Sequence, residues 1–367
     1  MTAKPMRAVL GALLLFAGLA AAHSVLWRWA GGQLERGFAT WEEQRRALGW
    51  VVEHGPPIRG GWPLAATLTV PGLRIVATGP SLPGGAEWQV QALVFRVSAP
   101  RIGQLVVEAR GRQRLRFDTV ELPFAADRLD VTLPIEAGVP LREAEIIADH
   151  LRMSTPAGPL ELQSGRLGIE TRTSATEAEP ALALSLTLEA LDLPPDLASQ
   201  PALGVFGRRI ESLTADAALT GPLPGGRDPV ARAEQWRDNG GTLEVRSLNL
   251  RWGPISGDAS ATLTLDETLQ PMGTATLRLA GAGEAIRALS VAGALTPRMA
   301  GTATAAVLLL QRPAEDGGPP RVELPLTLQE RQLTAARVPV LRLAPIEWPR
   351  AQPGTDPGED PTLPRRR

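Results

Sequence analysis

Ala181-Leu182-Ala183-Leu184-Ser185-Leu186-Thr187-Leu188-Glu189 alternates between leucine and small or polar residues. Successive side chains of a strand point to opposite faces. Leu182, Leu184, Leu186 and Leu188 therefore share one face, and Ala183, Ser185, Thr187 and Glu189 take the other. The segment reads as a strand with one buried and one wet face. The same period of two recurs upstream through Leu64, Ala66, Leu68 and Val70, then Leu73, Ile75 and Ala77 beyond a Pro71-Gly72 turn, and through Leu129, Val131, Leu133 and Ile135. From Trp88 to Val97 both faces are apolar, as in a central or sandwiched strand. Downstream it returns at Leu213, Ala215, Ala217 and Leu219, at Ala259 to Leu265, at Ala275, Leu277 and Leu279, and at Val322 to Leu328. Residues 151–191 and 248–280 share a strand–turn–strand rhythm that hints at recurring meander units. The expected fold is mainly β (α+β), with long antiparallel curved sheets and a few short helices.

Two helices are expected inside the β region. Asp228-Pro229 supplies an N-cap and a first-turn proline, Asn239-Gly240-Gly241 a stop, and Val230, Ala233 and Trp236 an inward face. Gly283 to Leu289 is the second. Proline-rich Leu193 to Pro201 reads as a linker. It divides a first β-rich half, 51–192, from a second, 193–345. The stretch 346–367 holds five prolines, ends in Arg365-Arg366-Arg367 and is expected to be disordered.

Residues 1–29 decide the compartment. Lys4 and Arg7 precede an uncharged run from Ala8 to Trp27, about the 20 residues a bilayer-spanning helix needs. Trp27 and Trp29 suit the headgroup layer, and Arg28 between them can snorkel. The positive-inside rule places the N-terminus in the cytoplasm and the bulk in the periplasm. A cleaved signal peptide is the rival, with Ala20-Ala21-Ala22 as the cleavage site. The anchor is preferred because apolar character continues past those alanines. Residues 30–50 form an amphipathic helix: Trp27, Leu34, Trp41 and Leu48 recur every seven residues with Phe38 on the same face, and Gly49 is the stop.

The composition excludes several classes. A net charge of −1 gives no field to recruit nucleic acid. Cysteine is absent, so there is neither a disulfide nor a thiolate metal site. Lys4 is the one lysine, and the remaining basic residues are arginine, as coding in a GC-rich bacterial genome would give. His23, His54 and His150 show no metal-ligand spacing, and there is neither a nucleophile elbow nor a phosphate-binding loop. No catalytic, cofactor-binding or metal residue is assigned, and the chain is expected not to be an enzyme. Arg110, Arg112, Arg114 and Arg116 alternate. On one continuous strand they would share a face able to grip lipid phosphates. With Gly111 in a hairpin turn they would split between two strands. In either case they also suit a solvated edge. In Gly60-Gly61-Trp62-Pro63 the glycines allow a sharp turn, Trp62 is expected to anchor it to the core, and Pro63 to start a strand in extended form.

Taken together, these stretches resemble an uncharacterised proteobacterial envelope family, domain of unknown function 2125. The resemblance lies in the anchor and the helix ending Arg45-Arg46-Ala47-Leu48-Gly49, in Gly60-Gly61-Trp62-Pro63-Leu64, in Trp88 heading its strand, and in Leu269-Gln270-Pro271-Met272-Gly273 between two strands. It covers about residues 8–345. It implies an exported, anchored, β-rich protein and supplies no catalytic residues. More distantly the chain is similar to AsmA-like envelope proteins, which are associated with outer-membrane lipid homeostasis. The function expected is a membrane-anchored periplasmic protein that contacts or handles lipid. Its partners would be the inner membrane and either phospholipid or another envelope protein. A protein-binding scaffold with a closed core and an envelope hydrolase with an unrecognised site are the alternatives.

Overall fold

The computed structural model describes residues 3–79, 82–135, 142–172, 174–176, 179–226, 228–293, 295–312, 320–335 and 338–348. Helix α1 (Ala3–Ala47) leads into β1 (Val51–Glu53), β2 (Ile58–Gly60), β3 (Ala65–Gly79), β4 (Leu82–Ser98), β5 (Gln104–Phe117), β6 (Val120–Ala125), β7 (Arg128–Pro134), β8 (Glu143–Thr155), β9 (Gly158–Thr171) and β10 (Pro180–Asp192). Two helical turns, α2 (Pro195–Ala198) and α3 (Pro201–Gly204), precede β11 (Arg209–Thr220) and α4 (Pro229–Asp238). Next come β12 (Leu243–Trp252), β13 (Ile255–Leu265), β14 (Pro271–Ala280), α5 (Ala282–Val291) and α6 (Pro297–Leu310). The chain closes with β15 (Gln311–Arg312), β16 (Arg321–Gln329), β17 (Gln332–Ala335) and β18 (Val338–Arg342).

The strands form one antiparallel sheet in which pairing follows chain order. Strands β1 and β2 are two pieces of one edge strand on β3, with Val51 opposite Val76 and Ile58 opposite Thr69. Strands β6 and β7 are likewise two pieces of one strand between β5 and β8. From β8 to β14 each strand pairs with the next, then β14 with β16, β16 with β17 and β17 with β18. The expected division at 192/193 falls between β10 and β11, which pair along almost their whole length, so the two halves share this sheet.

Residues paired directly across strands project to the same face. Following the register from Leu68 gives Phe95, Val107, Val131, Ile146, Leu167, Leu186, Ala215, Leu248, Ala259, Leu277 and Leu324. Every member is apolar. A parallel row runs Ile169, Leu184, Ala217, Val245, Ala261, Ala275, Leu326. The opposite face carries Arg166, Thr187 and Thr214 at the matching places.

Keeping one face apolar requires the alternation to slip in phase. Pro71-Gly72 does this in β3: Leu68 and Val70 before it, and Leu73 and Ile75 after it, join one core cluster. Gly111 is the matching break in β5. It lies at φ 82°, in the left-handed region that favours glycine, and a Cβ there would press on the Gln91 side chain. In β8 and β10 the breaks are His150 and Ala190, both at φ 50°.

The amphipathic part of α1 caps the β3–β5 end of the apolar face. Phe38 is buried among Leu68, Val70, Leu73, Val90 and Leu93, with Leu34 and Trp41 beside it. Its ring stacks 5.8 Å from Trp41 and meets Phe95 at 5.6 Å. Gly49, at φ 83°, ends the helix as expected.

Some expectations need correction. Leu48 is exposed, because α1 ends at Ala47 and the seven-residue repeat outruns it. The linker at 193–201 contains the helical turns α2 and α3, each opened by a proline. Helix α6, capped by the Thr296 hydroxyl on the Met299 N–H, was not anticipated. Trp62 is 57% exposed, so it does not anchor its turn to the core. The turn is held instead by backbone: Trp27 donates its indole N–H to Ala65 O at 2.8 Å, and Gly61 takes φ 91°. Pro63 lies within this turn, ahead of the strand. Residues 346–348 are ordered, whereas the rest of the proline-rich tail lies outside the described residues.

Candidate functional site

Beyond the part covered by α1, the apolar face changes character. Leu68 and Val70 are fully buried, but Leu184 and Leu248 are each 38% exposed, and Leu186, Leu277 and Leu324 are half-buried. The later helices meet the sheet near its strand ends, as where Pro195 of α2 abuts Gly158 and Gly281, before α5, abuts Pro254. At about 4.8 Å per strand, the row from Leu68 to Leu324 is roughly 53 Å long.

At the ends of β11 to β14 this face deepens into a cavity of about 470 Å3. Its floor is Leu219, Leu243, Leu263 and Leu265; α4 gives one wall through Ala233 and Trp236, and Ile346 and Trp348 give the other. Asp228 caps α4 as the sequence indicates, accepting from the Val230 N–H at 3.0 Å. The Trp236 indole donates to Thr220 O, and Gly241 lies so close to the ring that a Cβ would reach 2.3 Å from it. The Trp348 indole donates to Leu269 O, while Gln270 exchanges two hydrogen bonds with the Ile346 backbone. Gln270 and Trp348 thus hold a strap that the sequence reading missed; a lone tryptophan closing the apolar pattern was the available signal.

The arginines lie on one continuous strand, with Gly111 as a bulge rather than a hairpin turn. Arg110, Arg114 and Arg116 occupy the polar face and Arg112 falls in the bulge. Three of them are engaged by carboxylates: Arg110 by Glu108, Arg114 by Glu121 at 2.9 Å, and Arg116 by Glu87. Glu87 is the hub. It accepts from Arg74 at 2.6 Å, from Gln89 at 2.6 Å and from Arg116, and these bonds hold its carboxyl down at about 2. The group is screened from water by these side chains rather than by apolar core, so salt will weaken the effect. An unfolded glutamate takes up its proton near about 4.3. Between the two values the unfolded chain binds a proton that the folded chain does not. The contribution of Glu87 to stability is therefore complete above the unfolded value and fades as pH falls toward 2. Chemical denaturation between pH 5 and about 2 should show a smaller acid-dependent loss in Glu87→Gln than in the natural chain.

Among the described residues no group of three or more histidine, aspartate and glutamate side chains is placed to hold a metal ion. His54 bridges Gly55 O and Glu42, which ties α1 to the segment after β1. His150 stands exposed 3.4 Å from Asp127. Of the residues expected at the membrane interface, Trp29 is exposed, whereas Trp27 is docked on the β2–β3 turn. Helix α1 is the one helix among the described residues long and apolar enough to cross a membrane.

No curated protein and no solved structure matches the chain. A family model does match, over residues 27–344, which takes in the amphipathic half of α1 and the sheet as far as β18. The chain therefore belongs to the DUF2125 family, described as uncharacterised proteins conserved in bacteria.

Proposed function

We propose that this is a non-enzymatic, membrane-anchored periplasmic protein whose open apolar face receives lipid acyl chains. The supporting observation is the unbroken apolar row from Leu68 to Leu324, covered by α1 at one end and carrying part-exposed leucines beyond it. Water against such a surface is costly, and each methylene moved onto it from water is worth about 0.8 kcal/mol. The cavity under Trp236 and Trp348 suits a chain terminus, since its lining is almost wholly apolar. The polar face, with its arginine–glutamate pairs, would remain in water.

The test is retention. Purified protein, stripped of lipid in detergent and then incubated with fluorescent phospholipid, is expected to carry the label through gel filtration. Protein that elutes empty from several detergents would sink the proposal.

A further inference from the structure

The turn between β2 and β3 follows α1 back toward its N-terminus. Arg59 pairs with Glu35, Gly60 O accepts from the Trp27 indole, and Pro63 O accepts from the His23 ring. From Glu35 to His23 is twelve residues of helix, roughly 18 Å. The first charge after the apolar run of α1 is Arg28, so the contact at His23 lies inside the span. Trp62 and Leu64 flank Pro63 and are 57% and 83% exposed. No charge occurs between Arg59 and Arg74. The neighbouring turn presents Ile102, 69% exposed, beside Arg101; Ala65 pairs with Ser98 across the two turns.

We infer that this rim is a second membrane contact: the β2–β3 and β4–β5 turns insert Trp62, Leu64 and Ile102 into the interfacial layer of the bilayer that α1 crosses. A buried apolar partner would explain the exposed side chains equally well in isolation. Continuity with the span decides for lipid, because His23 and Trp27 fix the turns at the depth where the helix leaves the hydrocarbon. Arg28 and Arg101 supply the cations that suit lipid phosphates. Ala66 and Leu68, where the α1-covered end of the apolar face begins, follow directly on this rim.

The inference rests on α1 remaining in the bilayer, and not on the apolar face holding lipid. The chain has no cysteine, so any introduced one is unique. Leu64→Cys, Ile102→Cys, Leu19→Cys and Thr187→Cys, each carrying an environment-sensitive fluorophore, would be placed as full chains in nanodiscs of phosphatidylethanolamine and phosphatidylglycerol. Nitroxide-labelled lipid is expected to quench positions 19, 64 and 102 and to spare position 187 on the polar face. Quenching at 19 alone would overturn the rim contact while leaving the anchor intact. No quenching at 19 would remove the anchor and the rim contact together.

Discussion

Leu184→Asp and Leu248→Asp should each release bound phospholipid while leaving the sheet folded. Both side chains project from the apolar face and both are 38% exposed, so a carboxylate there keeps access to water and the cost to folding is small. The cost to a bound acyl chain is larger. Covering a fully exposed side chain of this size is worth about 1.5–3 kcal/mol, so the 38% still exposed accounts for roughly 0.6–1.1 kcal/mol; desolvating the new carboxylate under an acyl chain adds at least about 1 kcal/mol, and about 1.4 kcal/mol is tenfold in affinity. Each substitution should lower phospholipid retention by about tenfold or more. Thr187→Asp, on the opposite face, should leave it unchanged. Equal loss from all three would show that the label follows general instability rather than this face.

Phe38→Ala should produce the largest loss of stability of any single truncation in α1. The ring is 5% exposed and lies among Leu68, Val70, Leu73 and Leu93, so its removal leaves a cavity in the core cluster. Such a deletion costs about 3–5 kcal/mol. Urea denaturation should register it, and hydrogen exchange should place the loosening in β3 and β4. A loss below about 1 kcal/mol would mean that α1 merely rests on the sheet.

Much of this architecture could be read from residue order. Alternation such as Leu182 to Leu188 carries strand identity and facing in one pattern, and Asp228-Pro229 marks a helix start by capping chemistry alone. Other features depend on neighbours that are distant in sequence. The spacing of Arg110, Arg114 and Arg116 shows that they lie together, but not that Glu87 and Glu121 stand opposite. His150 and Ala190 reset the phase of their strands with a backbone angle that neither residue type announces. Trp62 was assigned to the core by its chemistry, whereas its turn is fixed by helix-to-backbone bonds that leave the ring outside. The candidate site was legible as an apolar face; its end cavity was not, because a strap from 346–348 completes it. Helix α6 was missed because its run of alanine, threonine and leucine has no clear period.

Because each strand leans on those just before and after it in the chain, the sheet can be lengthened without redesign. Inserting one more hairpin between, say, β12 and β13 displaces nothing upstream and adds about 10 Å to the hydrophobic track. Relatives of different size would then vary the length of a common plan by gaining or losing hairpins, with the α1-covered end and its Phe38 clasp left as they are.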